Sequence, residues 1–447
     1  MNDHGRVLFT AVGLSFVTKA VSLLLSFVTI PIAIAHLGAE RFGLWVLALS
    51  SFSIMSNLDL GLVPATKNKM AEAFARIDRT GFQYLRDCTF YFAAAYLAIA
   101  VLAAGIGLLF DWSRLFNSSP SIPSEEVNAL AFVLLLGVTS CSSVSFIEAV
   151  CAAQLELKLI RLVQLGSTLL GFALFAIALY MGGSLPWVAA GTHVACVLGG
   201  LFLLRRIIKA RPLARNTTIK DVGRTVRQLL TSSLPFAGIQ LTNAAFVALP
   251  SLIIAHTMTQ IDVATFAVGY KFVTIPLFMV TEIGIVFWPL STVAWTRGET
   301  TWLYTQLRKL ILGTVALMLL FSLGSIFFGE RIISLWTSGG VNVKTELLVS
   351  LAMWLTAQSV ITLFSSFLRS VGDFKFELVV NLLSLGTFIC IALLVVQKFG
   401  LTGIAFALFV SSLVTSLAPM ALRVRAKLPQ NSALRETKTQ MQERDQA

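Results

Sequence analysis

Long, nearly uninterrupted apolar runs limit what this chain can fold into more severely than any other feature. Runs of about 19 to 30 residues, each enough to cross the hydrocarbon core of a bilayer as a helix, occur at roughly 9–35, 43–65, 88–110, 128–151, 162–181 and 187–204. Six more follow at roughly 229–256, 264–288, 310–328, 347–368, 377–397 and 401–422. In lipid every backbone N–H and C=O must find its partner inside the protein, so such runs read as helices. Of the 447 residues, 56% are hydrophobic and only 13% are charged, whereas a soluble domain carries about a quarter. No polar stretch exceeds about 25 residues, which leaves no room for a separate soluble domain. The first run is too long for a signal-peptide core and lacks a cleavage pattern, so it is expected to remain as an anchor. The expected fold is an all-α polytopic membrane protein of about twelve transmembrane helices.

The basic residues sort between the two sides. Segments 1–8, 66–87, 152–161, 205–228, 289–309, 369–376 and 423–447 hold 27 of the 34 Lys and Arg. The opposite segments hold Arg41, Arg114, Arg331, Lys344 and Lys398, while Lys19 and Lys271 lie within spans. By the positive-inside rule both termini are cytoplasmic. The formal charge of +12 is thus a topology and lipid-surface signal, and no nucleic-acid partner is expected. Trp112, Trp187 and Trp336 near one face, with Trp288, Trp295 and Trp302 near the other, fit interfacial belts.

Several chemistries lack their residues. The five cysteines show no CxxC pair and four of them lie inside apolar runs, which suits small buried hydrophobes better than a disulfide framework or zinc site. The four histidines are scattered without metal-ligand spacing, so no metal is expected. There is no GxxxxGK[ST] stretch for ATP, and no cofactor is expected beyond a coupled proton or sodium ion. A membrane enzyme such as a polysaccharide polymerase or ligase needs a catalytic outer surface. The longest outer segments, 111–127 and 329–345, are only about 17 residues and hold no histidine or catalytic cluster.

The halves repeat. Residues 27–31 read FVTIP and 246–250 read FVALP, an offset of 219. Residues 154–164 read QLELKLIRLVQ and 371–381 read VGDFKFELVVN, an offset of 217, with an acid, a lysine and an amide coinciding (Glu156 and Asp373, Lys158 and Lys375, Gln164 and Asn381). Two six-span repeats in the same orientation imply a symmetry axis along the membrane normal and a central cavity between them. The expected organisation is a bundle at 1–210, a cytoplasmic linker at 211–228, a second bundle at 229–423 and a basic, polar tail at 424–447.

Residues 37–45, LGAERFGLW, and 58–65, LDLGLVPA, with Lys67, Asn68 and Lys69 following, resemble the first hairpin of polysaccharide exporters of the multidrug/oligosaccharidyl-lipid/polysaccharide superfamily, in its O-antigen (Wzx-type) flippase branch. The AVGYKF run at 267–272 and the GDFK turn at 372–375 resemble second-half features of that family. The resemblance implies a flippase in the bacterial inner membrane that moves an undecaprenyl-diphosphate-linked oligosaccharide between leaflets by alternating access. Its partners would be that lipid-linked oligosaccharide, membrane lipids and the glycan polymerase and chain-length machinery. It also implies that runs 9–35, 43–65, 229–256 and 264–288 line the cavity. A cation-coupled drug or small-molecule antiporter of the same superfamily is the alternative.

Charged side chains inside spans usually mark a pathway or a partner. Lys19 lies about 15 Å from the cytoplasmic end of the first span and Asp59 about 9 Å into the second, within a lysine's reach in depth. Lys271 and Glu282, eleven residues apart on the eighth span, fall on one face of a continuous helix. Gln240 and Asn243 share a face of the seventh. All six lie on the runs that the resemblance assigns to the cavity. Lys19 and Lys271 suit a diphosphate, Gln240 and Asn243 suit sugar hydroxyls, and Asp59 and Glu282 suit charge pairing or a coupling ion. Structural lysines, interfacial carboxylates and interhelical hydrogen bonding are the competing explanations. Glu148, within a turn of the inner boundary, reads as interfacial. Pro31, Pro235, Pro250 and Pro276 are expected to kink the cavity helices.

Overall fold

The computed structural model describes residues 3–57, 61–75, 79–154, 156–210 and 219–428, and the regular elements among them are helices. In chain order these are α1 (Asp3–Phe52), α2 (Leu62–Ala75), α3 (Arg79–Gly107), α4 (Trp112–Leu115), α5 (Ser124–Ala153), α6 (Leu157–Tyr180) and α7 (Leu185–Ala210). There follow α8 (Ile219–Thr257), α9 (Gln260–Val273), α10 (Ile275–Thr296), α11 (Thr300–Trp336), α12 (Thr345–Ser370), α13 (Phe374–Ser411) and α14 (Ala418–Lys427). Among the described residues nine helices are long and apolar enough to span a membrane, and α9 with α10, bent by 55°, makes a tenth. Two of the nine contain a break, at Gly38 in α1 (φ 79°) and at Gly400 in α13 (φ 55°). Taking each limb of those two as a pass gives the twelve spans expected.

The chain divides into two compact units, Met1–Ala264 and Thr265–Ala447. The sequence repeat draws its halves elsewhere. Helix α8, which opens the second repeat, packs within the first unit against α1, α2, α3 and the 3₁₀ turn Ser53–Asn57. Part of the segment read as a linker is also helical, since α8 begins at Ile219; residues 211–218 lie outside the described residues. The helical tail ends at Lys427, and 429–447 are likewise outside.

Each unit is built round one helix. In the first, α5 packs against α2, α3 and α7; in the second, α12 packs against α10, α11, α13 and α14. The apolar window of α5 is 61% buried and that of α12 is 72%, against 17% for α6 and for α11. The outer helices therefore present apolar flanks to lipid, as Leu335 of α11 and Leu394 of α13 do, each more than four-fifths exposed. Buried serines fit the hub helices where the hydroxyl is satisfied by its own helix. Ser142 donates to the Val138 carbonyl at 3.0 Å, and Ser359 to that of Leu355 at 2.7 Å. Small residues bring neighbours close: a Cβ at Gly137 or Gly200 of these packed helices would collide with His193 or Val144.

The sequence motifs prove to be joints. In 37–45, Gly38 takes the left-handed conformation that turns the chain. At Gly43 a Cβ would overlap the Gln260 carbonyl at the start of α9, so only glycine permits that approach. Arg41 reaches Glu126 at 3.1 Å, and Glu40 accepts from the Ser121 hydroxyl at 2.9 Å. The run 43–65, expected as one span, is not one helix: α1 ends at Phe52, a 3₁₀ turn follows, and α2 restarts beyond Gly61, whose φ is 74°. Gly61, with Pro64 just beyond it, interrupts the apolar pattern there.

Candidate functional site

Four helices of the first unit, α1, α5, α6 and α7, line an open cavity of about 520 Å³. Lys19, half-buried on α1, lines it. So do Arg161 and Gln164 on α6 and Glu148 on α5. Gln164 Nε2 donates to both carboxylate oxygens of Glu148, at 3.0 Å each. Its Oε1 accepts from Arg161 Nη1 at 2.8 Å. The spacing of Arg161 and Gln164, one turn apart on α6, aligns the guanidinium, amide and carboxylate into one chain. Thr18 leaves its hydroxyl on the Leu14 carbonyl at 2.8 Å and approaches that of Arg161 at 3.4 Å, which ties α1 to α6 beside the cavity.

Chemically, this wall offers cations for an oxyanion and a carboxylate held by a neutral amide. The amide satisfies the carboxylate without carrying a charge of its own, and the Arg161 guanidinium stands on the far side of that amide. The sequence puts Glu148 within a turn of the inner boundary, and the structure places it on the cavity wall beside Gln164. The available signal was Gln164, one of the residues shared by the two repeats, lying across from it.

The remaining expected residues are distributed unevenly. Gln240, half-buried, and Asn243, exposed, lie on α8 in the first unit. Lys271 and Glu282, both half-buried, lie in the second unit. Asp59 lies outside the described residues, and with it the proposed Lys19–Asp59 pairing. The shared face inferred for Lys271 and Glu282 does not carry over, because the helix is not continuous between them. It breaks at Thr274, where α9 and α10 meet at 55°, and Pro276 just beyond lacks the N–H that a continuing helix would need. Pro31 and Pro250 sit inside continuous helical stretches.

Two further charge pairs escaped the sequence reading, which put Arg86, Asp87 and Arg369 in inner loops and Glu377 at the start of a span. Arg86 and Asp87, adjacent on α3, are both almost fully buried and bonded at 2.8 Å. In the second unit Arg369 grips Glu377 through Nε and Nη2, at 2.6 Å at the shortest, and its guanidinium lies 5.8 Å from the centroid of the Trp288 ring.

With this geometry in view, the relatives are informative. The family described as polysaccharide biosynthesis protein matches residues 10–295. The chain belongs to that family. No curated protein matches the sequence. Among solved structures, the inward-facing form of a multidrug resistance MATE family transporter of the MOP superfamily superposes with a TM-score of 0.77 at 17% identity, over 93% of this chain and 96% of that one. The lipid II flippase MurJ in its inward closed conformation gives 0.66 at 16% identity, over 93% and 87%. The Vibrio cholerae MATE transporter VcmN in its bent form gives 0.63 at 17%, over 95% and 96%. This polysaccharide biosynthesis protein therefore has the twelve-helix fold of MOP-superfamily transporters.

Proposed function

We propose that the protein is a flippase that translocates an undecaprenyl-diphosphate-linked oligosaccharide across the bacterial inner membrane for surface polysaccharide synthesis, working by alternating access. The observation that carries this reading is membership of the polysaccharide biosynthesis family in a chain whose membrane-embedded first unit holds a cavity lined by Lys19 and Arg161. In this reading Lys19 and Lys271 bind the diphosphate, as cations in a medium of reduced dielectric. Gln240 and Asn243 bind sugar hydroxyls. Glu148, Asp59 and Glu282 are the carboxylates available for proton or sodium coupling. O-antigen, other lipopolysaccharide glycans and exopolysaccharide are the cargo classes to test, with the glycan polymerase and chain-length machinery as downstream partners. The cation-coupled antiporter is the second reading, favoured by the carboxylate–amide pair in the same cavity.

Deletion is expected to stop surface-glycan export while lipid-linked repeat units accumulate in the inner leaflet. Normal surface glycan with altered sensitivity to cationic dyes would replace the flippase with the antiporter. Lys19→Ala and Lys271→Ala should each abolish export in an inserted, abundant protein, and Lys→Arg should keep part of it, since charge survives but donor shape changes. Recovery of export by Lys19→Ala/Asp59→Ala would show that Lys19 merely neutralises an acid.

A further inference from the structure

The second unit holds a groove of about 540 Å³ between the first half of α11 and the end of α14, with Phe364 of α12 beneath it. Its walls are firm, because Leu307, Phe364, Val424 and Leu428 are core residues. Its outer lip is not: Leu312 is 59% exposed, on a helix with membrane length and hydropathy. At the other end stand Arg308, one turn beyond Tyr304 on α11, and Arg425 on α14. None of the described residues that line the groove is acidic.

The sorting of charges on α14 explains how Arg425 comes to be there. Arg423 and Lys427, one turn apart, both reach Asp373, at 2.8 and 3.2 Å. Arg425 lies between them in sequence and so about 200° round the helix from either. Two of the three cations of this helix close a turn, while the third lines the groove. Two arginines at the head of an apolar trough match an amphiphile with an anionic phosphate and an alkyl chain. Sugar hydroxyls also donate hydrogen bonds, and of the groove's polar side chains, two guanidinium groups and one phenol, only the phenol can accept one.

We propose that this groove binds an anionic phospholipid, with its phosphate on Arg308 and Arg425 and an acyl chain along Ile311, Leu312 and Phe364. The inference does not depend on what the protein transports.

The test is native mass spectrometry of the full-length protein titrated with phosphatidylglycerol and, separately, with phosphatidylcholine. Phosphatidylglycerol is expected to bind about thirtyfold more tightly, from about one kilocalorie per mole for each arginine. Arg308→Gln/Arg425→Gln should erase that preference. Arg297→Gln/Lys309→Gln, which removes the same charge from exposed neighbours, should keep it. Leu312→Trp should weaken phosphatidylglycerol by filling the trough without touching charge, which covers the case of an arginine variant that does not fold. Equal affinity for the two lipids, or equal loss in both double variants, would overturn the proposal. Displacement of phosphatidylglycerol by equimolar undecaprenyl diphosphate would overturn it too, by making the groove a substrate site.

Discussion

The two units carry the same turn and put it to different use. In the first, Glu156 precedes α6 and meets Arg206 at 3.8 Å, with both side chains more than a third exposed. In the second, Asp373 precedes α13 and meets Arg423 at 2.8 Å, with the aspartate only 13% exposed. Both members of the pair are displaced by 217 residues, the repeat offset. The carboxylates deeper in the bundles differ more. Glu148 is held by a neutral glutamine and faces a cavity of about 520 Å³. Glu377 is sealed, 1% exposed, on a bidentate arginine. A carboxylate whose partner is neutral and whose surroundings are open can change protonation during a cycle. One locked to a guanidinium in a closed core holds two helices together. The repeat thus supplied a common frame, in which the first unit's carboxylate faces a cavity and the second unit's is closed off by an arginine.

Making the same substitution in both units would break or sharpen this contrast. Glu377→Gln leaves the partly buried Arg369 charge without its counterion and should lower stability by up to about 3–5 kcal/mol, read as a fall in thermal unfolding temperature and in membrane abundance. An unchanged melting temperature would show that the second-unit pair is not structural. Glu148→Gln should change stability by no more than about 3 kcal/mol, because an amide oxygen still accepts from Gln164 where the carboxylate did. It should nevertheless remove export from an abundant protein. Full export by this variant would strip the cavity carboxylate of its coupling role.

The smallest effect is expected at the turn. Asp373→Asn should destabilise the α13–α14 connection by about 0.2–1 kcal/mol, and Glu156→Gln should have less effect, since both pairs are partly exposed and screened. Burial pushes the Asp373 carboxyl up, but the hydrogen bonds and charges of Arg423 and Lys427 outweigh it and hold it below the usual aspartate value of 3.8. A depressed carboxylate contributes stability above its unfolded pKa and loses it as pH falls through the folded one. The wild-type turn should therefore be insensitive to pH between about 5 and 8 and loosen only in stronger acid. Hydrogen exchange of α14 across that range measures it. Protection that falls already near pH 6 would mean that another group controls the turn.

Membrane spans, the internal repeat and family membership were legible in residues alone, because a bilayer imposes a length and a polarity on every segment that crosses it. The site was legible only in part. Lys19 stood out as a charge in an apolar run, and it does line a cavity. Arg161, Arg369 and Glu377 did not, and Glu148 read as interfacial, because near a span boundary a charge in water and a charge in a polar interior look alike in sequence. Helical arithmetic for Lys271 and Glu282 failed at Thr274, where Pro276 ends the regular geometry on which that arithmetic depends.

What the sequence determined by itself was the solvent: 56% hydrophobic residues in runs of membrane length admit helices in lipid and little else. Tertiary structure decided which helices became hubs, which charges met and which faced a cavity. It also placed α8 in the first unit, against the boundary drawn by the repeat. Those outcomes depend on close approach between segments far apart in the chain, as at Gly43 against Gln260. Lipid satisfies every apolar face equally, so hydrophobicity cannot choose the neighbours; shape and paired polar groups do.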